Sequence, residues 1–531
     1  MPLLAGPRSL LASLPPKKKG QKAVTENQGA AAAERAPAPL RYVAAHRSLI
    51  LLAAVALGWV VAQLLVTFRV GLGPDETVYL TQYSHQVPAM AFSAPRARGV
   101  PLLVAPLTLL TAAVAPIRAY LTAASGVGLF LAYWPWLWLH RSTVVPLAAL
   151  LFATTWVAAF YANEAMPDMF VAYGAVAAVA LFALAASPGR HRGALAGLGA
   201  AFAFTSLVRP TDALWVGLTL IVAALLVRRW RRLPLLAAIV AGLAVGWGEW
   251  VGEAYASYGG LAARLSAAGA KNKTGLSFSL TQHLAALSGQ HTLCRPACHG
   301  ISPLTVAWFI AVPVIGLLGL YATRRSPWFP AAALAGATGC VTAASYIFGV
   351  GYAAPRFLLP YYALVAIPVA EGLAQLYRGS LHPRARPLTA SLAILSVLTY
   401  LVIQGYGLLG VLHKEVPARA AHVQAAHALT QLGMHPPCLV YGHKVLQTAY
   451  YARCAARTVT GGFGGGHTPV PLRHAMTEGQ RVAVVTHQAS LPAPFLRRWP
   501  RVRLTGPGPQ SWYAYLPPGT RPRLPGDRQQ G

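Results

Sequence analysis

The sequence predicts an α-helical polytopic membrane protein with about eleven transmembrane helices and a small α/β domain at its C-terminal end. Hydrophobic residues make up 55% of the 531 residues and charged residues only 11%, whereas soluble globular proteins carry about 25% charged residues. Apolar runs of the length that crosses a bilayer as a helix, about 20 residues, recur from Ser48 to Leu412. After them, segment 413–531 has a helical pattern at 418–433 and the strand-like runs "CLVYG", "RVAVVTH" and "RVRLTG", which together predict an α/β domain.

The N-terminal segment, residues 1–46, is rich in Ala, Pro and Lys and has no apolar periodicity. We therefore expect it to be a disordered basic tail. The formal net charge of the chain is +31, which in a soluble protein would suggest nucleic acid as a partner. Here the basic residues fall mostly in short loops and tails, the pattern that orients a protein in a membrane lipid bilayer. We expect no nucleic-acid partner.

Retaining Lys and Arg on the cytoplasmic side fixes a topology. It puts the N-terminus in the cytoplasm, the first span at residues 48–68 and a first outer loop at 69–116. The apolar run 99–116 contains Pro101, Pro106 and Pro116 and is predicted to be re-entrant or interfacial, because proline interrupts helix hydrogen bonding. The remaining predicted spans are residues 117–139, 143–160, 169–186, 193–208, 212–227, 234–254, 303–321, 328–349, 357–375 and 388–411.

This topology describes a multi-pass protein of the cell membrane. The transmembrane domain covers residues 47–412 and includes a long outer loop, 255–302. An odd number of spans leaves the C-terminal domain, 413–531, extracytoplasmic. Nearly all carboxylates of the membrane region then lie at the outer face, although only the positive charges entered the fit. Ionisable residues that persist at membrane depth usually serve function, so we expect the chemistry at that face.

The strongest candidate site is the segment "GPDETVY" in the first outer loop, which contains Asp75 and Glu76. A carboxylate held beside a cation can act as a general base toward a hydroxyl group. An equally weighted alternative is that Asp75 only caps a helix that begins after it. The side chains expected to accompany this pair in the site are those of Tyr79, His85, Arg96 and Arg98.

A second acidic loop, "NEAMPDMF", supplies Glu164 and Asp168, for which helix capping is again the alternative. Arg209 and Arg356 begin or end predicted spans at the same face. A guanidinium group binds a phosphate through two hydrogen bonds and stays charged, so these residues suit a lipid phosphate. Arginine near a helix end also snorkels to the interface without any function.

The cysteines outside the spans form two local pairs, Cys294 with Cys298 and Cys438 with Cys454. Such pairs are expected to be disulfides if they face an oxidising compartment. The histidines of the C-terminal domain lack the close spacing of a structural metal site. The sequence identifies no cofactor with certainty, and it leaves a divalent cation open.

The order of these motifs resembles the GT-C glycosyltransferase superfamily. The segments are "GPDETVY", "RARGVPLLVAPL", "MPDMF", "LVRPT" and "PRFLLPYYALVAIPVAEGL". The branches that they resemble are the protein O-mannosyltransferases, the lipid A aminoarabinose transferases and bacterial mannosyl- or arabinosyltransferases. The resemblance covers residues 48–412. It implies that a sugar is transferred, with inversion, from a polyprenyl-phosphate donor to an acceptor at the outer face, namely a cell-envelope glycan, a lipid or a protein.

By the same resemblance Asp75 would be the general base, or would position a metal, and Glu76 would support it. Asp168 would orient the acceptor or the sugar, and Arg209 and Arg356 would hold the departing phosphate. Two other classes compete. A secondary transporter or lipid flippase commonly has internal repeats and midplane ionisable groups, and the sequence has no visible repeat. A non-catalytic, glycan-binding membrane scaffold predicts that Asp75→Asn has no effect.

Overall fold

The computed structural model describes residues 38–187, 192–295, 298–379, 383–459, 463, 467–487, 493–504 and 511–518. Most of the predicted tail lies outside these residues. The first helix, α1 (Ala38–Val66), begins inside segment 1–46 and about ten residues before the predicted span. The intervening residues, "APLRYVAAHR", are mostly good helix formers without Gly, so the helix continues beyond the apolar run that revealed it. Helix α1 therefore overlaps residues 38–46 of the predicted tail, and the boundary at residue 46 stays a prediction.

The helices of the first half of the chain include both long and short elements. Short helices occur where Pro, Gly or paired Thr residues interrupt an apolar run. The bounds are α1 as above, α2 (Pro74–Leu80), α3 (Gly99–Thr108), α4 (Val114–Tyr133), α5 (Trp136–Leu139), α6 (Val144–Ala153), α7 (Trp156–Tyr161), α8 (Pro167–Ala186), α9 (Arg192–Val208) and α10 (Pro210–Leu226).

The second half of the bundle contains longer helices and two helices in the 255–302 segment. That segment was predicted as a loop, and its helices α12 and α13 are amphipathic rather than long and apolar. The bounds are α11 (Leu233–Ser257), α12 (Leu261–Asn272), α13 (Leu280–Ser288), α14 (Pro303–Thr323), α15 (Phe329–Gly349), α16 (Leu359–Arg378) and α17 (Arg386–Gln431).

Eight helices among the described residues are long and apolar enough to cross a membrane, and α3, α6, α9 and α10 are shorter apolar helices. The multi-pass helical architecture is thus confirmed. At about 1.5 Å per residue, α3 is about 15 Å long, half of the hydrocarbon core of a bilayer. This length agrees with the re-entrant or interfacial element predicted for 99–116. The count of about eleven spans needs α6, α9 and α10 to cross as well, and it stays a prediction.

Helices α8 and α16 form the centre of the bundle, and both are almost completely buried. Small residues allow α16 to approach α14 closely. A Cβ atom on Gly319 would lie 2.2 Å from the carbonyl oxygen of Pro368, and one on Gly372 would lie 2.2 Å from that of Ile315. Backbones in van der Waals contact are how membrane helices associate when apolar burial offers no gain over lipid. These glycines therefore fix the position of α16.

Helix α17 is a single helix of 46 residues, so no break separates the membrane domain from the C-terminal domain at the predicted boundary, 412/413. The helical pattern predicted at 418–433 is the continuation of the last span. At about 1.5 Å per residue the helix is about 70 Å long, more than twice the thickness of the hydrocarbon core. Its second half therefore protrudes from the membrane and connects the bundle to the C-terminal domain.

The C-terminal domain contains a five-stranded sheet with the order β2-β1-β3-β5-β4. Strands β1 (Cys438–Gly442), β2 (Ala455–Thr458) and β3 (Arg481–His487) are parallel, and β4 (Arg501–Arg503) and β5 (Trp512–Tyr515) complete the sheet in antiparallel pairs. Helices α18 (Leu446–Tyr451) and α19 (Val470–Thr477) connect the parallel strands. The predicted strands correspond to β1, β3 and β4, whereas β2 and β5 have only four residues each and gave no clear signal.

Candidate active site

Two helices begin at the candidate site with the same local sequence, proline followed by aspartate. Pro74 and Pro167 occupy the first turns of α2 and α8, where the fixed φ of proline suits a helix start. Asp75 and Asp168 come next in the same turns. The partial positive charge at a helix N-terminus favours a carboxylate there. Both aspartates are thereby placed at the same end of the bundle.

The alternative that Asp75 caps its helix is answered by the neighbouring glutamate. The residue at the N-cap of α2 is Gly73, and its backbone N–H donates to Glu76 Oε2 at 2.7 Å. Glu76 therefore performs the capping. The side chain of Asp75 makes no such bond and remains 38% exposed, which leaves its carboxylate available to a substrate.

A cavity of about 250 Å³ opens beside Asp75. It lies where the starts of α2 and α8 meet the loop before α3, the α9–α10 connection, the 255–302 segment and the turn before α16. Its lining includes six of the predicted site residues. They are Asp75, Tyr79, Arg96, Asp168, Arg209 and Arg356, with Arg356 facing the two aspartates.

Three arginines connect the two aspartates of the cavity. Arg96 Nη2 lies 2.7 Å from Asp75 Oδ1, and Arg209 Nη1 lies 2.5 Å from Asp168 Oδ1. Arg356 bridges the pair, because its Nη2 lies 3.1 Å from Asp75 Oδ2 and its Nε lies 3.4 Å from Asp168 Oδ2. One guanidinium group thus fixes the separation of two carboxylates that begin on different helices.

The lining carries an excess of positive charge. Its ionisable acids are two aspartates, whereas its basic side chains are Arg96, Arg209, Arg356, Lys271 and Arg295, an excess of three positive charges. Lys271 and Arg295 come from the 255–302 segment and were not predicted, because neither lies near an acidic motif in the sequence. An enclosed surface with this excess favours an anion.

The same charges determine the protonation of Asp75. Burial by itself raises the pKa of this carboxyl group, but the positive charges of Arg96 and Arg356 and the hydrogen bond from Arg96 outweigh it and lower the pKa to about 2. Asp75 is therefore ionised at neutral pH. Its low pKa also makes it a weak base for as long as both arginines face it.

Beneath the cavity, four charged residues form what we call the support cluster: Glu76, Arg118, Glu164 and Arg419. Glu76 and Arg118 are almost fully buried. Arg118 Nη1 donates to Glu76 Oε1 at 2.7 Å, and Arg118 Nη2 donates to Glu76 Oε2 at 2.8 Å. The Ala165 N–H also donates to Glu76 Oε1 at 2.9 Å. Every oxygen of Glu76 is thus occupied by hydrogen bonds, and this residue has no access to a substrate.

Arg419, from the protruding half of α17, completes the support cluster. Its Nη1 lies 2.6 Å from Glu164 Oε1, donates to the Gly71 carbonyl oxygen at 2.8 Å and lies 3.7 Å from Glu76 Oε2. Burial raises the pKa of Glu164; the charge of Arg419 opposes this effect and that of Glu76 adds to it. The cluster holds the two acidic loops against each other and against α17.

The other predicted site residues lie in different surroundings. Tyr79 lines the cavity, and the guanidinium carbon of Arg96 lies 4.8 Å from its ring centroid. Arg98 points away and pairs with Glu253 at 2.5 Å. His85 is exposed. Together with Glu76 and Glu164, Arg98 and His85 are predicted site residues that do not line the cavity.

Sequence reasoning missed three buried arginines that hold the site loops. Arg118 and Arg419 belong to the support cluster, and Arg264 donates to the backbone oxygens of Ala94 and Arg96, at 3.1 and 2.9 Å. Arg118 had a usable signal, since it is a lone charge in an apolar run. Arg264 and Arg419 had none, because the loop carbonyl groups that they hold are more than 160 residues away in the chain.

The 255–302 segment is joined to the bundle beside the cavity. The backbone N–H groups of Ser277 and Ser279 donate to the carbonyl oxygens of Phe348 and Ile347. Disulfide bonds join Cys294 to Cys298 in this segment and Cys438 to Cys454 in the C-terminal domain. The Arg295 guanidinium carbon lies 3.6 Å from the ring centroid of Tyr352. These contacts keep the segment that carries Lys271 and Arg295 at the cavity.

The divalent cation that the sequence left open does not fit these residues. Within the described parts of the chain no group of three or more His, Cys, Asp or Glu side chains is arranged to hold a metal ion. The two carboxylates of the cavity are engaged by arginines, and the surrounding charge is positive. We derive no step through a metal ion.

No protein-family model and no curated protein sequence matches the chain, but solved structures do. One is ArnT from Cupriavidus metallidurans bound to undecaprenyl phosphate, with a TM-score of 0.59 and 15% sequence identity over 90% of this chain and 99% of ArnT. Apo ArnT matches with a TM-score of 0.57 and 15% identity over 89% and 98%. The chain therefore has the fold of the GT-C glycosyltransferases, as the order of its motifs predicts.

Proposed function

We propose that this protein transfers a sugar from a polyprenyl-phosphate donor to an acceptor at the outer face of the cytoplasmic membrane, with Asp75 as the general base. The observation that carries the proposal is the cavity in which Asp75 is exposed among five basic side chains. A phosphate ester is an anion that arginine binds well. ArnT, which has the same fold, was solved with undecaprenyl phosphate bound, and this supports a lipid-linked phosphate as the leaving group.

The reaction follows from the charges. The acceptor hydroxyl gives its proton to the Asp75 carboxylate while its oxygen attacks the anomeric carbon of the donor. The bond from that carbon to the phosphate oxygen breaks, and its electron pair stays on the phosphate. Arg356 and Arg209 stabilise the negative charge that develops there, and fixed cations are effective because they need no reorganisation. Attack from the side opposite the phosphate inverts the configuration of the sugar.

The donor also activates the base. Arg96 and Arg356 keep the pKa of Asp75 low, so its carboxylate is a weak proton acceptor. A bound phosphate brings negative charge and competes for the same guanidinium groups, and both effects raise the pKa of Asp75. Proton transfer from the acceptor thus becomes favourable only when the donor is present.

The volume of the cavity supports a small transferred group. About 250 Å³ lies below the roughly 300–1,000 Å³ typical of drug-sized ligand sites. This volume suits one sugar with its phosphate better than a long oligosaccharide. We infer a monosaccharide donor.

The test is to incubate the full-length protein, reconstituted in liposomes, with polyprenyl-phosphate monosaccharides of different sugars and to measure release of the free polyprenyl phosphate. We expect one donor to be consumed and Asp75→Asn to abolish most of the consumption. Glu478→Gln, an exposed carboxylate in the C-terminal domain, is the control and should leave it unchanged. Movement of a lipid between leaflets without consumption would instead indicate a flippase, and full turnover by Asp75→Asn would exclude Asp75 as the base.

A further inference from the structure

The segment just before Asp75 is bound by residues from the opposite end of the chain. The Leu72 N–H donates to the phenolic oxygen of Tyr451 at 3.0 Å, across 379 residues of sequence. The carbonyl oxygen of Gly71 accepts from Arg419 at 2.8 Å, across 348 residues. Tyr451 is the last residue of α18, and Arg419 lies in the protruding half of α17. Both bonds therefore join the Asp75 segment to the C-terminal part of the protein.

Gly71 packs directly against the two side chains that bind this segment. A Cβ atom on Gly71 would lie 3.0 Å from Arg419 Cβ and 3.4 Å from the Tyr451 phenolic oxygen. Only glycine allows both side chains to reach the backbone without a shift. The adjacent residue of α18, Tyr450, donates to the Ala112 carbonyl oxygen at 3.0 Å, which is on the loop between α3 and α4.

The backbone of residues 71–73 thus has three fixed polar groups. Within the bundle Glu76 accepts from the Gly73 N–H, and Arg118 donates to the Gly71 carbonyl oxygen at 3.2 Å. The bonds to Tyr451 and Arg419 come from outside the bundle. Asp75 follows two residues later, at the start of a helix of seven residues. A helix so short has little stability of its own, so its orientation depends on the segment that leads into it.

We propose that the C-terminal domain is a positioning element of the active site, and that Tyr451 and Arg419 hold the backbone that aims Asp75 into the cavity. This inference rests on the proposed function for its effect on turnover, but the contact itself can be tested without any substrate. Tyr451 and Arg419 touch neither the cavity nor the reacting atoms. They act through the 71–73 backbone, so they are positioning residues.

The experiment compares Tyr451→Phe with Tyr450→Phe in the full-length protein in lipid nanodiscs. Each variant removes one phenolic oxygen from the same helix, but only Tyr451→Phe leaves the Leu72 N–H without its acceptor. Hydrogen exchange at residues 71–76 should become about fivefold to tenfold faster in Tyr451→Phe, the effect of losing one hydrogen bond. Tyr450→Phe should leave exchange at these residues unchanged.

Turnover supplies the second measurement. With the consumed donor, Tyr451→Phe should lower kcat about fivefold to tenfold and change the donor KM less than twofold, because the binding cations remain in place. Unchanged exchange at residues 71–76 in Tyr451→Phe overturns the proposal, and so does faster exchange with wild-type kcat. If the wild-type protein transfers no sugar, the proposed function fails, while the exchange result still decides whether the C-terminal domain holds this segment.

Discussion

The cavity and the support cluster beneath it both combine carboxylates with arginines. Their carboxylates differ in exposure and in hydrogen bonding. In the cavity Asp75 is partly exposed, and Arg356 divides its contacts between two aspartates at 3.1 and 3.4 Å. In the support cluster Glu76 is fully buried and accepts from Arg118, Gly73 and Ala165 at 2.7–2.9 Å. The difference teaches that exposure and longer contacts with a shared arginine, rather than charge, distinguish the carboxylate that faces the cavity from the one that is structural.

Helix geometry explains why the adjacent residues Asp75 and Glu76 face different surroundings. Successive residues at a helix start are rotated by about 100° from each other. Asp75 therefore faces the cavity when Glu76 faces the interior. The two regions are physically linked through one helical turn, and each can be changed without the other.

The largest expected effect is on catalysis in the cavity. Asp75→Asn removes the proton acceptor but keeps the size of the side chain, so we expect turnover to fall by about 10²–10⁴-fold. The temperature of unfolding should change little, because this side chain is partly exposed. The measurement is donor consumption beside thermal unfolding of the same preparation. A large loss of stability would place Asp75 with the support cluster instead.

The matching change in the support cluster is Glu76→Gln. It leaves the charge of Arg118 buried without a counter-charge, and removing one partner of a buried ion pair costs about 3–5 kcal/mol. We expect a clearly lower unfolding temperature in detergent. Protein that remains folded should retain a measurable donor KM, because the cavity cations are intact. If Glu76→Gln is as stable as the wild type, the support cluster is not structural.

A smaller effect is expected for Arg356→Lys. Lysine keeps the positive charge, but one ammonium group cannot reproduce the planar fork that contacts both Asp75 and Asp168. We expect kcat/KM for the donor to decrease about 10- to 100-fold. Arg325→Lys, in the α14–α15 connection, is the matched control and should have no effect. An equal loss in both variants would indicate a general response to the substitution.

The pH dependence of kcat/KM should change when Arg96 is replaced. In the wild type Asp75 has a pKa of about 2, so it stays ionised and contributes no acid limb above about pH 4. Arg96→Gln removes a charge and a hydrogen bond that lower this pKa, while burial still raises it. The pKa must therefore rise, and activity should begin to fall at a higher pH as the solution is acidified.

The control for this profile is Arg98→Gln. Arg98 is two residues away from Arg96 and pairs with Glu253 rather than with Asp75. Its replacement should leave the acid limb of kcat/KM where it is in the wild type. An acid limb that does not move in Arg96→Gln would mean that Asp75 does not titrate in the free enzyme over the range measured.

The smallest effect is expected for His85→Gln. His85 lies in the same loop as the other predicted site residues, but its side chain is exposed and does not line the cavity. We expect kcat and KM to remain within about twofold of the wild type, as for most surface substitutions. A large loss of activity would require a site that extends beyond the cavity.

The sequence by itself determined the multi-pass helical architecture, and it predicted five of the seven charged residues that line the cavity. Apolar length predicts helices because a bilayer leaves the backbone few alternatives, and Pro-Asp pairs at residues 74–75 and 167–168 mark helix starts by local stereochemistry. These signals are local, so they need no knowledge of the fold. The order of the motifs along the chain added the resemblance to the GT-C superfamily.

Only the tertiary structure decided which acids face the cavity. Glu76 and Glu164 looked equivalent to their neighbours until Arg118 and Arg419 were found against them. Lys271 and Arg295 entered the cavity from a segment that the sequence described only as a long loop. Partners separated by tens to hundreds of residues leave no trace in local composition. The distances between them, and the charge that results, exist only once the chain has folded.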